Sequence, residues 1–209
     1  MQTSSQDERA PFVHESIPVD GRTARRDRNR NSVLEAVLEL FEEGKLSPGV
    51  HEIAHRSGVS LRSVYRYFDD VDDLIAAAID RQYDIARPLF LLSGLGQGPL
   101  LDRIERFCAA RVRLFESVRT VHIAATARER LDPRIAEAMD RCREQLSRQT
   151  AAMFAPELGQ MADDTAQVVG VTLDILTQLE TIELLRGTRG LTVEGAVQYL
   201  RDTFDDMLT

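Results

Sequence analysis

The apolar positions of this chain recur with a helical period along nearly its whole length. From Asp27 to Glu43, Val33, Leu34, Val37, Leu38 and Phe41 follow at spacings of one, three, one and three, which predicts a helix with one buried stripe, closed by Gly44. Ser47-Pro48 supplies a cap and a proline suited to a first helical position, and Val50, Ile53 and Ala54 give the next short helix its apolar side. Gly58 ends that helix. Ser60 is placed to cap a third, in which Leu61, Val64 and Phe68 share a face above Ile53 and Val59. Two short helices joined by Ser57-Gly58-Val59, a three-residue turn containing glycine, form the pattern of a helix-turn-helix.

Asp69, Asp70, Asp72 and Asp73 put negative charge at the start of a longer helix over about Asp70–Leu92, which Pro88 kinks or ends. Ser93-Gly94-Leu95-Gly96-Gln97-Gly98 reads as a loop; its likeness to a phosphate-binding loop is superficial, because no strand precedes it and no Gly-Lys-Ser/Thr follows. Helical patterns continue at about Pro99–Glu116, Ser117–Arg130, Asp132–Phe154, Asp163–Arg186 and Thr192–Leu208, and no stretch alternates with period two. The expected fold is all-α, about nine helices, with an N-terminal three-helix head on a larger helical body. The expected division is a disordered N-terminal arm at 1–21, a helix-turn-helix domain at 22–69 and a helical domain at 70–209.

The helix expected at 163–186 is apolar around most of its circumference, from Val168 to Leu185, and must be covered on nearly every side. The last helix adds a stripe of Val193, Val197, Leu200, Phe204 and Met207. A twofold four-helix interface built from helices 163–186 and 192–208 satisfies both, so a homodimer is expected.

Composition narrows the class. Of 209 residues 43% are hydrophobic and 29% charged, enough apolar matter for a sizeable core. There is no apolar run of about 18 residues and no apolar signal core in Met1–Asp20, so the reading is a cytoplasmic protein with no membrane segment. Cys108 and Cys142 lack metal or disulfide spacing, and no metal or cofactor is expected. His51 and His55 lie four apart, but His51 belongs on an outer face. The net charge of −8 argues against nucleic acid until its distribution is considered. Residues 21–69 carry nine Lys/Arg against seven Asp/Glu, and the run GRTARRDRNR holds five arginines and one aspartate, whereas residues 70–209 are acidic. A basic segment on an acidic body remains compatible with DNA; a solvated helix start explains the same run equally well.

Gly49–Ile79, GVHEIAHRSGVSLRSVYRYFDDVDDLIAAAI, resembles the DNA-binding signature of the TetR (tetracycline repressor) family. The resemblance lies in Ile53-Ala54, Gly58-Val59-Ser60, Tyr65-Arg66-Tyr67-Phe68 and Leu74, after an amphipathic helix of fitting length. It implies a sequence-specific, ligand-responsive homodimeric repressor, not an enzyme, with double-stranded operator DNA and a small-molecule effector as partners. It also implies that 70–209 is a ligand-binding and dimerisation domain. The chain departs from the family at Val71, where a phosphate-pairing lysine is usual, and in a first inter-helix connection one residue shorter than the commonest.

Recognition of base edges in the major groove needs short or polar side chains on the outer side of the third helix, and Ser60, Leu61, Arg62, Ser63 and Arg66 supply them. Arg62 is the first choice for guanine, because its planar fork reaches both acceptors; Leu61 suits a thymine methyl. Tyr65 and Tyr67 match the family's phosphate-binding aromatics, with core packing as the alternative. Ser47 is either a phosphate contact at the start of the supporting helix or only its cap. Arg22, Arg25, Arg26 and Arg28 form a flexible arm that reaches the backbone or the minor groove. For the effector, Phe107, Arg111, Phe115, His122, Met139, Cys142 and Thr172 are candidates because they place aromatic, polarisable or polar groups on apolar faces; core packing is the competing reading of each. Two other classes stay open: a helical module whose head docks protein, and an all-α enzyme, for which His14, His51, His55 and His122 accompany no nucleophile or metal signature.

Overall fold

A local rule, the 3.6-residue period, accounts for most of the secondary structure in the computed structural model, which describes residues 21–209. The described residues form nine α-helices and no strand: α1 Gly21–Glu42, α2 Val50–Ser57, α3 Leu61–Tyr67, α4 Val71–Ala86, α5 Leu100–Arg128, α6 Pro133–Leu158, α7 Asp163–Thr177, α8 Leu179–Glu183 and α9 Val193–Leu208. The all-α expectation holds. The expected N-terminal arm lies outside the described residues except for Gly21, which opens α1.

Helix α1 starts well before its apolar stripe. The segment from Thr23 to Asn31 contains no Gly or Pro and is rich in arginine, a good helix former, so it continues the helix without burying a face. Arg25, Arg26 and Arg28 therefore stand on a helix, which corrects the flexible-arm expectation; the side chain of Arg22 is outside the description.

The turn into α3 follows local chemistry. Gly58 adopts φ +66°, a left-handed conformation that glycine reaches without steric cost, and Ser60 caps α3 by accepting from the Ser63 amide at 3.3 Å. The start of α2 differs from expectation. Its N-cap is Gly49, with extended backbone and no side-chain cap, so Ser47 does not cap it. The physical reason is tertiary: Arg128 of α5 donates to the Leu46 carbonyl and the Ser47 hydroxyl, holding this segment outside the helix. Asp70 before α4 and Asp73 in its first turn cap the helix start reciprocally. Asp70 accepts from the Asp73 amide at 2.7 Å, and Asp73 accepts from the Asp69 amide at 3.2 Å. Pro88 ends α4 as expected, in a 3-10 turn over Arg87–Phe90.

Two boundaries expected from the sequence are overturned. The segments 99–116 and 117–130 form the single helix α5: neither Gly nor Pro stands at the junction, and the Ser117 hydroxyl is satisfied within the helix by donating to the Leu114 carbonyl at 2.7 Å. The expected helix 163–186 is interrupted at Gln178, whose backbone is extended at ψ 149°, and it ends in a π-helical turn at Leu184–Thr188. The Gln178 side chain donates to Ser147 Oγ at 3.1 Å and Asp174 Oδ1 at 2.7 Å; this tether to α6 stabilises the break.

Two apolar clusters result. The first joins α1–α3 to the start of α4 and to Val121, Ala124, Ala125, Ile135 and Met139 of α5 and α6. The second fills the space among α5–α9 around Phe107, Phe154 and Phe204, whose ring centroids lie 5.2–6.2 Å apart. Tyr83 of α4 packs against both. Arg143 of α6 ties the body together through Glu129, Asp140 and Glu180.

Candidate nucleic-acid interface

Helix α3 buries Val64 and, just beyond its end, Phe68, and packs Tyr67 partly against the same cluster, so that Arg62, Tyr65 and Arg66 face outward. Arg62, Tyr65 and Arg66 are exposed, and Leu61, Ser63 and Tyr67 are half-buried. Tyr65 is 51% exposed, which removes the core-packing alternative for that residue. Among the described residues Arg62 has no hydrogen-bond or ion-pair partner. The Ser60 hydroxyl donates to Ser63 Oγ at 3.0 Å, so these two serines engage each other at the cap. Ser47 is exposed and accepts from Arg128 Nη2 at 3.1 Å.

The start of α1 meets α3. Arg25, Arg26 and Asn29 together with Ser63, Arg66 and Tyr67 line an open hollow of about 600 Å³ that holds three guanidinium groups and no carboxylate. Arg66 lies over the Tyr67 ring, 5.1 Å from its centroid, and donates from Nη2 to the phenol oxygen at 3.0 Å. Partial burial pushes the Tyr67 phenol upward in pKa. Hydrogen bonds from Arg66 and Asn29 and the charges of Arg66 and Arg26 outweigh it, leaving a net lowering. Of the other cations near the helix-turn-helix, Lys45 pairs with Glu43 and Glu52 and Arg56 with Glu39 and Glu43, whereas Arg128 bonds only the neutral oxygens of Leu46 and Ser47. The positive charge left over is concentrated on α3 and the first turns of α1. Arg28 is exposed but does not line the hollow.

Sequence reasoning did not single out Asn29 or Arg30. Asn29 follows Arg25 by four residues and Arg26 by three, a helical spacing that places all three on one side. Arg30 stacks over Phe68 at 5.1 Å. Val71, at the place of the family lysine, is half-buried against the first apolar cluster, so this position serves packing.

In the body, Phe107, Arg111, Phe115, His122 and Met139 are buried, and Cys142 is half-buried. Tyr83, absent from the sequence candidates, gathers part of this set: its hydroxyl lies 3.3 Å from His122 Nδ1 and donates to Met139 Sδ at 3.7 Å. Burial pushes the Tyr83 phenol up and the His122 imidazole down. Tyr83, Phe90, Cys142 and Gln145 line an open cavity of about 310 Å³ between α4 and α6, together with the charged residues Asp80, Asp84, Arg87 and Arg141. Phe107 belongs to the aromatic core, and Phe115 sets its ring edge to His122 at 6.4 Å. Thr172 is not part of this group; it lies on α7 and donates to the Val168 carbonyl.

An outward-facing third helix, a basic hollow beside it and an all-helical body with a lateral cavity make up a helix-turn-helix head on a helical body. The fold is that of TetR-family transcriptional regulators. A protein of Saccharomonospora viridis, named as a transcriptional regulator and solved in complex with choline, is 20% identical with a TM-score of 0.65, over 86% of this chain and 96% of that one. A TetR-family transcriptional regulator of Streptomyces coelicolor is 23% identical with a TM-score of 0.62, over 87% of this chain and 80% of that one. A TetR-like regulator of Rhodococcus sp. RHA1 is 17% identical with a TM-score of 0.60, over 83% and 92%. No family model matches the sequence, and no curated protein matches it.

Proposed function

We propose that this protein is a sequence-specific DNA-binding repressor, homodimeric and responsive to a small molecule, working in the cytoplasm and without enzymatic activity. The observation that carries the reading is the open hollow where Arg25 and Arg26 of α1 meet Arg66 and Tyr67 of α3, a surface lined by three guanidinium groups and no carboxylate beside an exposed Arg62. Residues 22–69 read the operator: Arg62 contacts a base, Arg66 and Tyr67 hold phosphates, and Arg25 and Arg26 follow the backbone.

Residues 70–209 bind the effector and the second copy. On α7, Val168, Val171 and Ile175 are 66%, 53% and 57% exposed at helical spacing, and Tyr199 of α9 is 45% exposed. The exposed stripe on α7, together with Tyr199 on α9, supports a twofold dimer through α7 and α9, although Leu200 and Phe204, expected at that interface, are buried in the core of the single chain. The cavity beside Tyr83 supports effector binding, and the S. viridis relative with choline supports a small molecule as the signal.

The test is a mobility-shift assay with DNA flanking the protein's own gene. A specific complex that weakens steeply with salt is expected; binding no tighter than to random DNA of equal length overturns the reading.

A further inference from the structure

Two arginines of α5 are buried almost completely, Arg103 at 3% exposed and Arg111 at 1%. Their surroundings differ in one respect that decides what each is for. Arg103 is compensated: both terminal nitrogens bond the Glu157 carboxylate, Nη1 also reaches the Met153 carbonyl, and Nε reaches the Gly98 carbonyl at 3.1 Å. Arg111 has only neutral acceptors. Nη2 donates to the Leu146 carbonyl at 2.8 Å and Nη1 to Gln149 Oε1 at 2.9 Å, while Nε has no partner. Its guanidinium stacks over Phe107 at 4.6 Å, and burial pushes its pKa down to about 10, so it stays charged at neutral pH. Asp174, whose charge Arg111 feels, is committed to Ser147 and Gln178. A buried charge is costly unless an opposite charge or a full set of hydrogen bonds meets it, and here neither is supplied from within the described residues.

The position of Gln149 connects this charge to a cavity. While Gln149 Oε1 accepts from Arg111, its Nε2 donates to the carbonyl of Phe90, and Phe90 borders the cavity of about 310 Å³ beside Tyr83 and Cys142. One amide side chain therefore stands between the guanidinium and a wall of a cavity in the size range of small-ligand sites. We propose that the effector is an organic carboxylate, whose apolar part fills the cavity against Tyr83 and Phe90 and whose carboxylate takes the place of Gln149 on Arg111. This rests on the ligand-responsive reading above but not on DNA binding. A bidentate guanidinium–carboxylate contact gives Arg111 the anion that the fold withholds.

Matched head groups on one chain length test it. Octanoate, octanol and octylammonium are titrated into the full-length protein by calorimetry, with 4-phenylbutanoate as a second carboxylate. The two carboxylates are expected to bind at least about tenfold tighter than the alcohol or the amine, the value of one charge-assisted contact. In Arg111→Gln the carboxylates bind no tighter than octanol; in Arg111→Lys part of the preference remains. Arg111→Gln is also expected to melt no lower than wild type without ligand, because it removes an uncompensated buried charge. If that variant does not fold, the head-group series on wild type decides alone. Octanol bound as tightly as octanoate, or octylammonium tighter than both, overturns the proposal. A mobility shift of wild type without ligand runs in parallel: intact operator binding with no carboxylate preference refutes only this inference, whereas absent operator binding refutes the repressor reading.

Discussion

Arg128, in the last turn of α5, donates to the Ser47 hydroxyl at 3.1 Å and to the neighbouring Leu46 carbonyl, so the body holds the segment that leads into α2. The two residues are 81 positions apart. Burial depresses the Arg128 pKa, as expected of a cation whose partners here are neutral oxygens, with Asp72 opposing the shift from nearby. Arg128→Ala is expected to lower stability by about 1–2 kcal/mol and to speed amide exchange over residues 45–50. Ser47→Ala should do less, because the bond to Leu46 survives. Unaltered exchange in that segment after Arg128→Ala would contradict this account.

The arginines of the head separate into two roles. Arg62→Ala should cost about 1–3 kcal/mol on the cognate operator and little on random DNA, since a base contact carries discrimination. Arg25→Ala or Arg26→Ala should weaken binding to both and reduce the salt slope by about one. Fluorescence anisotropy across a salt series distinguishes them; an Arg62 variant that weakens both DNAs equally would make it a phosphate contact.

The exposed stripe on α7 predicts the oligomer. Val171→Glu with Ile175→Glu places two charges on a face that the dimer would bury, and sedimentation should shift from dimer to monomer at micromolar protein. The circular dichroism spectrum should not change, because both side chains are solvent-exposed in the single chain. A persistent dimer would place the interface elsewhere.

His122 makes stability depend on pH. Burial holds its folded pKa below the unfolded value of about 6.5, so the unfolded chain binds the proton more readily. Its contribution is fully present above about pH 6.5 and is lost as pH falls below that value, at a slope of at most about 1.4 kcal/mol per pH unit. Urea denaturation between pH 7.5 and 5 should show this slope in wild type and a flatter one in His122→Gln. Parallel slopes in the two proteins would mean that His122 does not titrate differently on folding.

Much of the head was legible from residues close together in the chain. Gly58 and Ser60 specify the turn through a left-handed φ and a side-chain cap, both of which act within three residues. Val64 and Phe68 name the buried side of α3 by spacing, and so leave Arg62, Tyr65 and Arg66 outside. The role of Ser47 was not legible, because its hydroxyl is engaged by Arg128 from another helix. Tyr83 went unnoticed for a similar reason: its hydroxyl meets His122 and Met139 only after α4, α5 and α6 pack. The break at Gln178 was hidden by an apolar pattern that continues through it, while its cause, Ser147, lies on α6.

The sequence by itself determined the all-helical class, the helices of the head, the glycine turn and the separation of a basic head from an acidic body, because period, capping and charge depend on near neighbours along the chain. Only the tertiary structure decided that Arg25, Arg26 and Asn29 stand against Ser63, Arg66 and Tyr67, that Arg103 finds Glu157, and that Arg111 finds no carboxylate. Those outcomes depend on which helix faces cross and at what distance. Packing of the two apolar clusters settles this, and a one-dimensional pattern of polar and apolar positions does not contain it.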